Sequence, residues 1–239
     1  MSLLTLVRHG QASYMQEDYD RLSPLGEEQS RKLGHYIARH GIPVDRVFCG
    51  PAKRHSRTVS IVGGAVREAG NEWPEEQVIP EFDEFDAFTV MKVVVPEMSR
   101  RDPLIGALSQ EFQAKRHRPE AGRILQKLFE EVCRRWCGGD YETPNVETWA
   151  QFRQRIAAAV ERLRASAERS SHTLVVTSGG PIAATVAYAL DLPHEKAIEF
   201  VWLSRNCSYA QFLFSGDRFS MHAFNAIPHI DDLSLITYR

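Results

Sequence analysis

An arginine and a histidine stand side by side ahead of a glycine in Leu3-Leu4-Thr5-Leu6-Val7-Arg8-His9-Gly10, and those residue types suit phosphoryl transfer. The guanidinium of Arg8 is a planar fork of donors that stays charged, a better match to a phosphate dianion than an ammonium. A ring nitrogen of His9 can attack phosphorus when it carries no proton, and the neighbouring Arg8 cation favours that state. Gly10 places a carbonyl near enough to hold the other ring nitrogen as a donor. The apolar run before them has strand length and no polar alternation, as expected of a parallel strand covered on both faces. Its carboxyl end is where ligands gather in an open α/β sheet.

Other stretches carry complementary groups. In Leu22-Ser23-Pro24-Leu25-Gly26-Glu27-Glu28-Gln29, Ser23 can cap a helix that begins at Pro24, with acids in the first turn facing its positive end. The run Val47-Phe48-Cys49-Gly50-Pro51-Ala52-Lys53-Arg54-His55-Ser56-Arg57-Thr58 reads as a strand followed by a basic helix start, and by itself such a basic cluster is a solvated helix face. In Ile79-Pro80-Glu81-Phe82-Asp83-Glu84-Phe85-Asp86, crowded carboxylates in a partly desolvated cleft raise one another's pKa, which suits a proton donor. Leu174-Val175-Val176-Thr177-Ser178-Gly179-Gly180-Pro181-Ile182 reads as a strand, a Gly-Gly turn and a helix whose N-terminus aims N–H groups at an anion.

Taken together, these segments resemble the histidine phosphatase superfamily, the phosphoglycerate-mutase-like enzymes, over nearly the whole chain. Arg8-His9-Gly10 is similar to the motif that carries the phosphorylated histidine, and Gln11-Ala12-Ser13 to its continuation. The resemblance implies that His9 is the nucleophile and that Arg8, Arg54, Ser178, the Gly179 amide and Gln11 bind the substrate phosphate. It also implies a carboxylic acid as proton donor; the register selects Glu84, with Glu81 and Asp83 as alternates. Two positions depart from the pattern. Cys49-Gly50 stand where a serine precedes the proline, and Ser178 stands where the family has a second histidine, which removes a charged donor to the transferring group. That exchange should cost about 1 to 3 kcal/mol, on the order of ten- to a hundred-fold in rate.

The expected activity is metal-independent phosphomonoester hydrolysis through a phosphohistidine on His9, acting on a small phosphorylated substrate without a cofactor. A phosphoglycerate-type mutase and a catalytically weakened phosphoanion-binding protein are the alternatives. His172 cannot replace the lost histidine, because it lies six residues before Ser178 on a strand, roughly 20 Å away at about 3.3 Å per residue. His229 resembles a family tail segment and is a candidate to approach the site. His35, His40, His55, His117, His194 and His222 show no ligand spacing with carboxylates, so a metal site is not expected. Cys49, Cys133, Cys137 and Cys207 form no disulfide framework, and no apolar run approaches the roughly 20 residues of a membrane span. A formal charge of -2 gives no sign of nucleic-acid binding, and the cytoplasm is the expected compartment. The sequence carries no signal of oligomeric state.

The elements that must position these groups alternate. Strands are predicted at 3–8, 45–49, 173–178, 207–214 and 218–224, and helices at 24–40, 53–69, 147–169 and 181–190. The 239 residues, 43% hydrophobic, suffice for one domain over 1–239. The pattern is that of a three-layer α/β/α fold, a mostly parallel sheet with helices on both faces. Residues 87–145 read as a helical cap insertion broken at Pro96, Pro103, Pro119 and Gly138-Gly139. Its basic residues, among them Arg100, Arg116 and Arg123, would draw anions to a phosphate cleft; they serve equally as polar faces of amphipathic helices.

Overall fold

A computed structural model describes residues 1–13, 20–141 and 145–238. Its elements in chain order are β1 (Ser2–Arg8), α1 (Pro24–Arg39), β2 (Arg46–Cys49), α2 (Lys53–Glu68), β3 (Glu76–Val78), a 3-10 turn (Pro80–Phe82), α3 (Ala87–Arg101), α4 (Pro103–Lys115), α5 (Ala121–Trp136), α6 (Trp149–Ala165), β4 (His172–Thr177), α7 (Gly179–Leu190), α8 (His194–Ala197), α9 (Glu199–Leu203), β5 (Tyr209–Ser215) and β6 (Arg218–Ala226). The six strands form one sheet in the order β3-β2-β4-β1-β5-β6. The first four in that order pair in parallel, while β5 and β6 complete the sheet antiparallel.

Strand alternation divides the core into two layers. Val7, Val47, Leu174 and Val176 pack against Leu33 and Ile37 of α1 and Val59, Val62 and Val66 of α2. Leu4, Leu6, Phe48, Val175 and Phe212 face the other way, onto Phe152 and Ile156 of α6, Ile182 and Val186 of α7, and the buried residues of α3 to α5. The fold is therefore the three-layer α/β architecture expected, with helices on both faces. Register matters to function: Arg8 lies opposite Thr177, and Cys49 opposite Val176, so the residues after β1, β2 and β4 emerge together at one sheet edge.

Two expectations change. The short edge strand β3 was not legible, because only three residues pair and two of them are exposed. Pro96 does not break a helix but lies inside α3. Its ring removes one backbone hydrogen bond, a penalty of roughly 3 kcal/mol, and the burial of Val90, Val94 and Met98 on either side offsets it. Pro103 instead starts α4, where Asp102 caps the helix, Pro119 falls between α4 and α5, and Gly138-Gly139 follow α5. Residues 142–144 of the predicted insertion lie outside the described residues. No helix among the described residues is long and apolar enough to cross a membrane.

The His229 ring makes no hydrogen bond to Arg8, His9, Arg54 or Ser178. It is buried near the Cys207 backbone, with no ring-nitrogen hydrogen bond of good geometry among the described residues, and Tyr36 lies 6.2 Å away between ring centroids. Burial, with the Lys32 charge, pushes its pKa down to about 4 from 6.5. The unfolded chain therefore takes up this proton first, and stability is lost as pH falls from 6.5 toward 4. Between pH 7 and 5 this residue alone should cost roughly 2 kcal/mol. Urea unfolding at the two pH values checks this, and His229→Phe, which keeps the ring without the titration, should flatten the dependence.

Candidate active site

His9 follows the last residue of β1, and its backbone N–H donates to the Thr177 carbonyl at 2.8 Å, so the imidazole is fixed to the centre of the sheet. Its Nδ1 lies 2.7 Å from the Gly10 carbonyl. A carbonyl only accepts, so Nδ1 carries the proton and Nε2 keeps its lone pair. Burial, then the charges of Arg54 and Arg8, hold the His9 pKa well below the usual histidine value, against a smaller opposing effect of the Gly10 carbonyl. The ring is thus neutral in the state a nucleophile needs. The loop behind it is tied down twice: Gly10 N–H donates to the Thr58 hydroxyl at 3.1 Å, and Gln11 N–H to Gln29 Oε1 at 2.8 Å.

The arginines reach the same edge from β1 and from the first turn of α2. Arg8 Nη1 donates to the carbonyls of Ser204 and Tyr238, the latter at 3.0 Å. Arg54 Nη1 pairs with Asp20 at 2.7 Å and its Nη2 donates to Ser178 Oγ at 3.2 Å. Asp20, which sequence reasoning did not single out, also accepts the Lys53 N–H at 2.9 Å and so caps α2 from outside. Gln11 turns its side-chain oxygen to the Ser23 hydroxyl at 2.8 Å, joining the loop to the cap of α1.

Among the three acids left open, the geometry separates Glu84 from the others. Its Oε2 accepts the Gly180 N–H at 3.0 Å and its Oε1 the Phe85 N–H at 3.0 Å. A Cβ on Gly180 would overlap the Glu84 carboxylate, so the second glycine of the Gly-Gly turn makes room for this acid. Burial raises the Glu84 pKa above the usual carboxylate range, with the Gly180 and Phe85 N–H groups and the charges of Arg54 and Arg8 opposing. Glu81 instead pairs with Arg162 at 2.5 Å, and Asp83 accepts the Glu84 N–H at 2.9 Å.

The segment that presents Glu84 is held by groups that no local motif reveals. Thr177 Oγ1 donates to the Phe82 carbonyl at 2.6 Å, and Arg155 of α6 donates to the carbonyls of Glu81 and Asp83 while pairing with Glu147 at 2.7 Å. Arg155→Met should loosen this segment, lowering kcat about tenfold and stability by about 1 to 3 kcal/mol. Steady-state kinetics alongside urea unfolding would check both.

His55 is a second residue that sequence reasoning missed. Its imidazole is fully buried, Nε2 lies 2.6 Å from Ser178 Oγ, and the ring stands 5.6 Å from that of His9 between centroids. The signal was present only as its place beside Arg54 in the first turn of a helix that follows a strand. Read as part of a basic run, it looked solvated. His172, as expected, sits at the far end of β4, bonded to the Pro43 carbonyl at 2.6 Å and near Thr5. Among the described residues no three His, Cys, Asp or Glu side chains are grouped to hold a metal ion.

The model of the histidine phosphatase superfamily (branch 1) matches residues 4–135 and 116–227. The chain belongs to this superfamily. Within the superfamily it is similar to a 2,3-bisphosphoglycerate-dependent phosphoglycerate mutase of Thermobifida fusca, 41% identical over 80 residues, which are 30% of this chain and 31% of that protein. It is also similar to a broad-specificity phosphatase of Saccharomyces cerevisiae, 38% identical over 65 residues, 25% of this chain and 28% of the relative. The chain thus matches under a third of the length of these curated relatives. A solved structure, a phosphoserine phosphatase from Entamoeba histolytica in complex with 3-phosphoglyceric acid, shares the fold with a TM-score of 0.64 at 16% identity, covering 96% of this chain and 99% of that one.

Proposed function

We propose that this histidine phosphatase superfamily member is a phosphomonoester hydrolase that works through a phosphohistidine on His9. The observation that carries the reading is an imidazole anchored through Nδ1 on the Gly10 carbonyl, with neutral Nε2 on the edge where Arg8, Arg54 and Glu84 converge. His9 Nε2 attacks phosphorus in line, the bond from phosphorus to the ester oxygen breaks, and the Glu84 carboxyl gives its proton to the departing alkoxide. Water then attacks the phosphohistidine, Glu84 takes the proton back, and the N–P bond breaks to release phosphate. Arg8, Arg54, the Ser178 hydroxyl and the Gly179 N–H hold the equatorial oxygens, because stabilising their charge is most of the work in phosphoryl transfer. Gln11 supports that set from the loop.

The substrate is a small phosphorylated molecule, and α3 to α5 serve as the cap that shapes its pocket. A reducing cytoplasm suits the four cysteines, all buried and free. Similarity to the Thermobifida mutase keeps one second reading in play, in which the phosphohistidine passes its group to a bound alcohol instead of water.

Rapid quench with a labelled phosphomonoester tests both readings. Acid-labile, base-stable label on the wild type that decays to free phosphate supports the hydrolase. Decay only when an alcohol acceptor is added favours the mutase. Phosphate binding with neither label nor turnover overturns both and leaves a phosphoanion-binding protein.

A further inference from the structure

The exchange of histidine for Ser178 removes an imidazole from the end of β4, yet a different imidazole fills the space. His55 enters from α2, the neighbouring layer, and lies between the ends of β2 and β4, which pair directly in the sheet. The residues at those two ends accommodate it. At the end of β2, a Cβ on Gly50 would lie 2.5 Å from His55 Nδ1, and 2.6 Å from the Phe82 carbonyl oxygen, so no larger residue there is compatible with the ring as placed. After β4, the short Ser178 side chain leaves room for the imidazole and meets Nε2 at 2.6 Å. His55 is fully buried, as a residue of a solvated basic helix face would not be.

The hydrogen bonds at Ser178 Oγ set its direction. Arg54 Nη2 can only donate, so Oγ accepts there, at 3.2 Å. Burial, then the Arg54 charge, lowers the His55 pKa, and the Gly50 backbone opposes them more weakly. Nδ1 lies beside Gly50 but makes no hydrogen bond of good geometry among the described residues. An orphaned buried N–H is costly, which favours the tautomer with the ring proton on Nε2, where Oγ receives it. With both lone pairs of Oγ occupied, the one proton of the hydroxyl is directed away from Arg54 and His55, free to donate to a phosphoryl oxygen.

We infer that His55 is a positioning residue for phosphoryl transfer, which holds the Ser178 hydroxyl as a donor to the transferring group and thereby takes over the duty of the histidine that Ser178 replaces. The inference rests on the phosphohistidine reading of His9. No covalent bond is made or broken at His55, and the Ser178 proton stays on Oγ while its hydrogen bond to the phosphoryl oxygen shortens as charge develops there. The site thereby keeps two imidazoles, with ring centroids 5.6 Å apart.

The test is a double-mutant cycle on the full chain with p-nitrophenyl phosphate, combined with phosphoenzyme labelling and thermal unfolding. His55→Ala and Ser178→Ala are each expected to lower kcat by about ten- to a hundred-fold. The double variant should be no slower than the slower single one, because both changes remove the same directed hydroxyl. His55→Gln, which can still donate to Oγ, should recover most of the rate. Ser178→His should restore activity in the His55→Ala background, where the ring has room, and not in the wild type.

Wild-type label on His9 together with additive losses, or with unchanged kcat in His55→Ala despite a lower unfolding temperature, overturns the role of His55 alone. If the wild type forms no phosphoenzyme and no product, the phosphohistidine reading falls and this inference falls with it. A His55→Ala protein that does not fold leaves His55→Gln and Ser178→Ala to decide. Equal rates for wild type and Ser178→Ala overturn the inference.

Discussion

His9→Ala is expected to form no acid-labile phosphoenzyme and to lower kcat for p-nitrophenyl phosphate on the order of 10⁴-fold or more, the scale of losing a covalent nucleophile. The physical reason lies in how completely the ring is prepared. Its backbone is bonded to the Thr177 carbonyl at 2.8 Å and its Nδ1 to the Gly10 carbonyl at 2.7 Å. Its proton affinity is held down by burial and by the Arg54 and Arg8 charges. Asparagine in its place can imitate the hydrogen bond to Gly10 but cannot attack phosphorus, so His9→Asn should be as inactive as His9→Ala. Both variants should still bind inorganic phosphate, since the arginines remain; isothermal titration would measure this. Substantial turnover in either variant would mean that phosphorus is attacked by something other than His9.

Glu84→Gln should have the second largest effect, and its form depends on the leaving group. An alkyl phosphate needs a proton on its departing oxygen, so kcat should fall by about 10² to 10⁴-fold. p-Nitrophenolate leaves without one, and the first step should then be slowed much less. The second step still needs a base to activate water, so the variant should accumulate phosphoenzyme from p-nitrophenyl phosphate, visible as a burst in stopped flow. The pH profile follows from the same groups. The first step requires neutral His9, whose pKa is lowered, and protonated Glu84, whose pKa is raised. In the wild type, kcat/KM for an alkyl phosphate should rise as His9 loses its proton and fall as Glu84 loses its own. The Gln variant should lose the falling limb. A phosphoenzyme that turns over at the wild-type rate in Glu84→Gln would transfer the proton duty to another acid, with Asp83 the neighbour in reach.

Much of the framework was legible in the chain itself. Strands β1, β2, β4, β5 and β6 and helices α1, α2, α6 and α7 fall within a few residues of where apolar periodicity and caps place them. These signals are local. Ser23 accepts the Gly26 N–H at 3.1 Å, and Thr148 with Gln151 closes a capping box at the start of α6. Resemblance to the superfamily likewise pointed to Arg8, His9, Arg54 and Ser178, and to Glu84 with two alternates; the first four lie at the ends of β1 and β4 or in the first turn of α2. β3 escaped because three residues carry too little periodicity, and Pro96 misled because its local cost is outweighed by packing that local reading cannot see.

What the sequence by itself determined, then, is most of the elements, the Arg8-His9-Gly10 motif and the superfamily it resembles, all of which depend on neighbours within a helical turn or a strand. What only the tertiary structure decided is which side chains meet. Glu84 is distinguished from Glu81 and Asp83 by the N–H of Gly180, 96 residues away. His55 is distinguished from the other histidines by the hydroxyl of Ser178, 123 residues away. Such contacts arise from the depth and rotation at which α2 and the Glu84 segment pack against the ends of β2 and β4, to within a fraction of an ångström. Residue spacing encodes on which face of an element a side chain lies, whereas the packing of separate elements fixes how close two such side chains come.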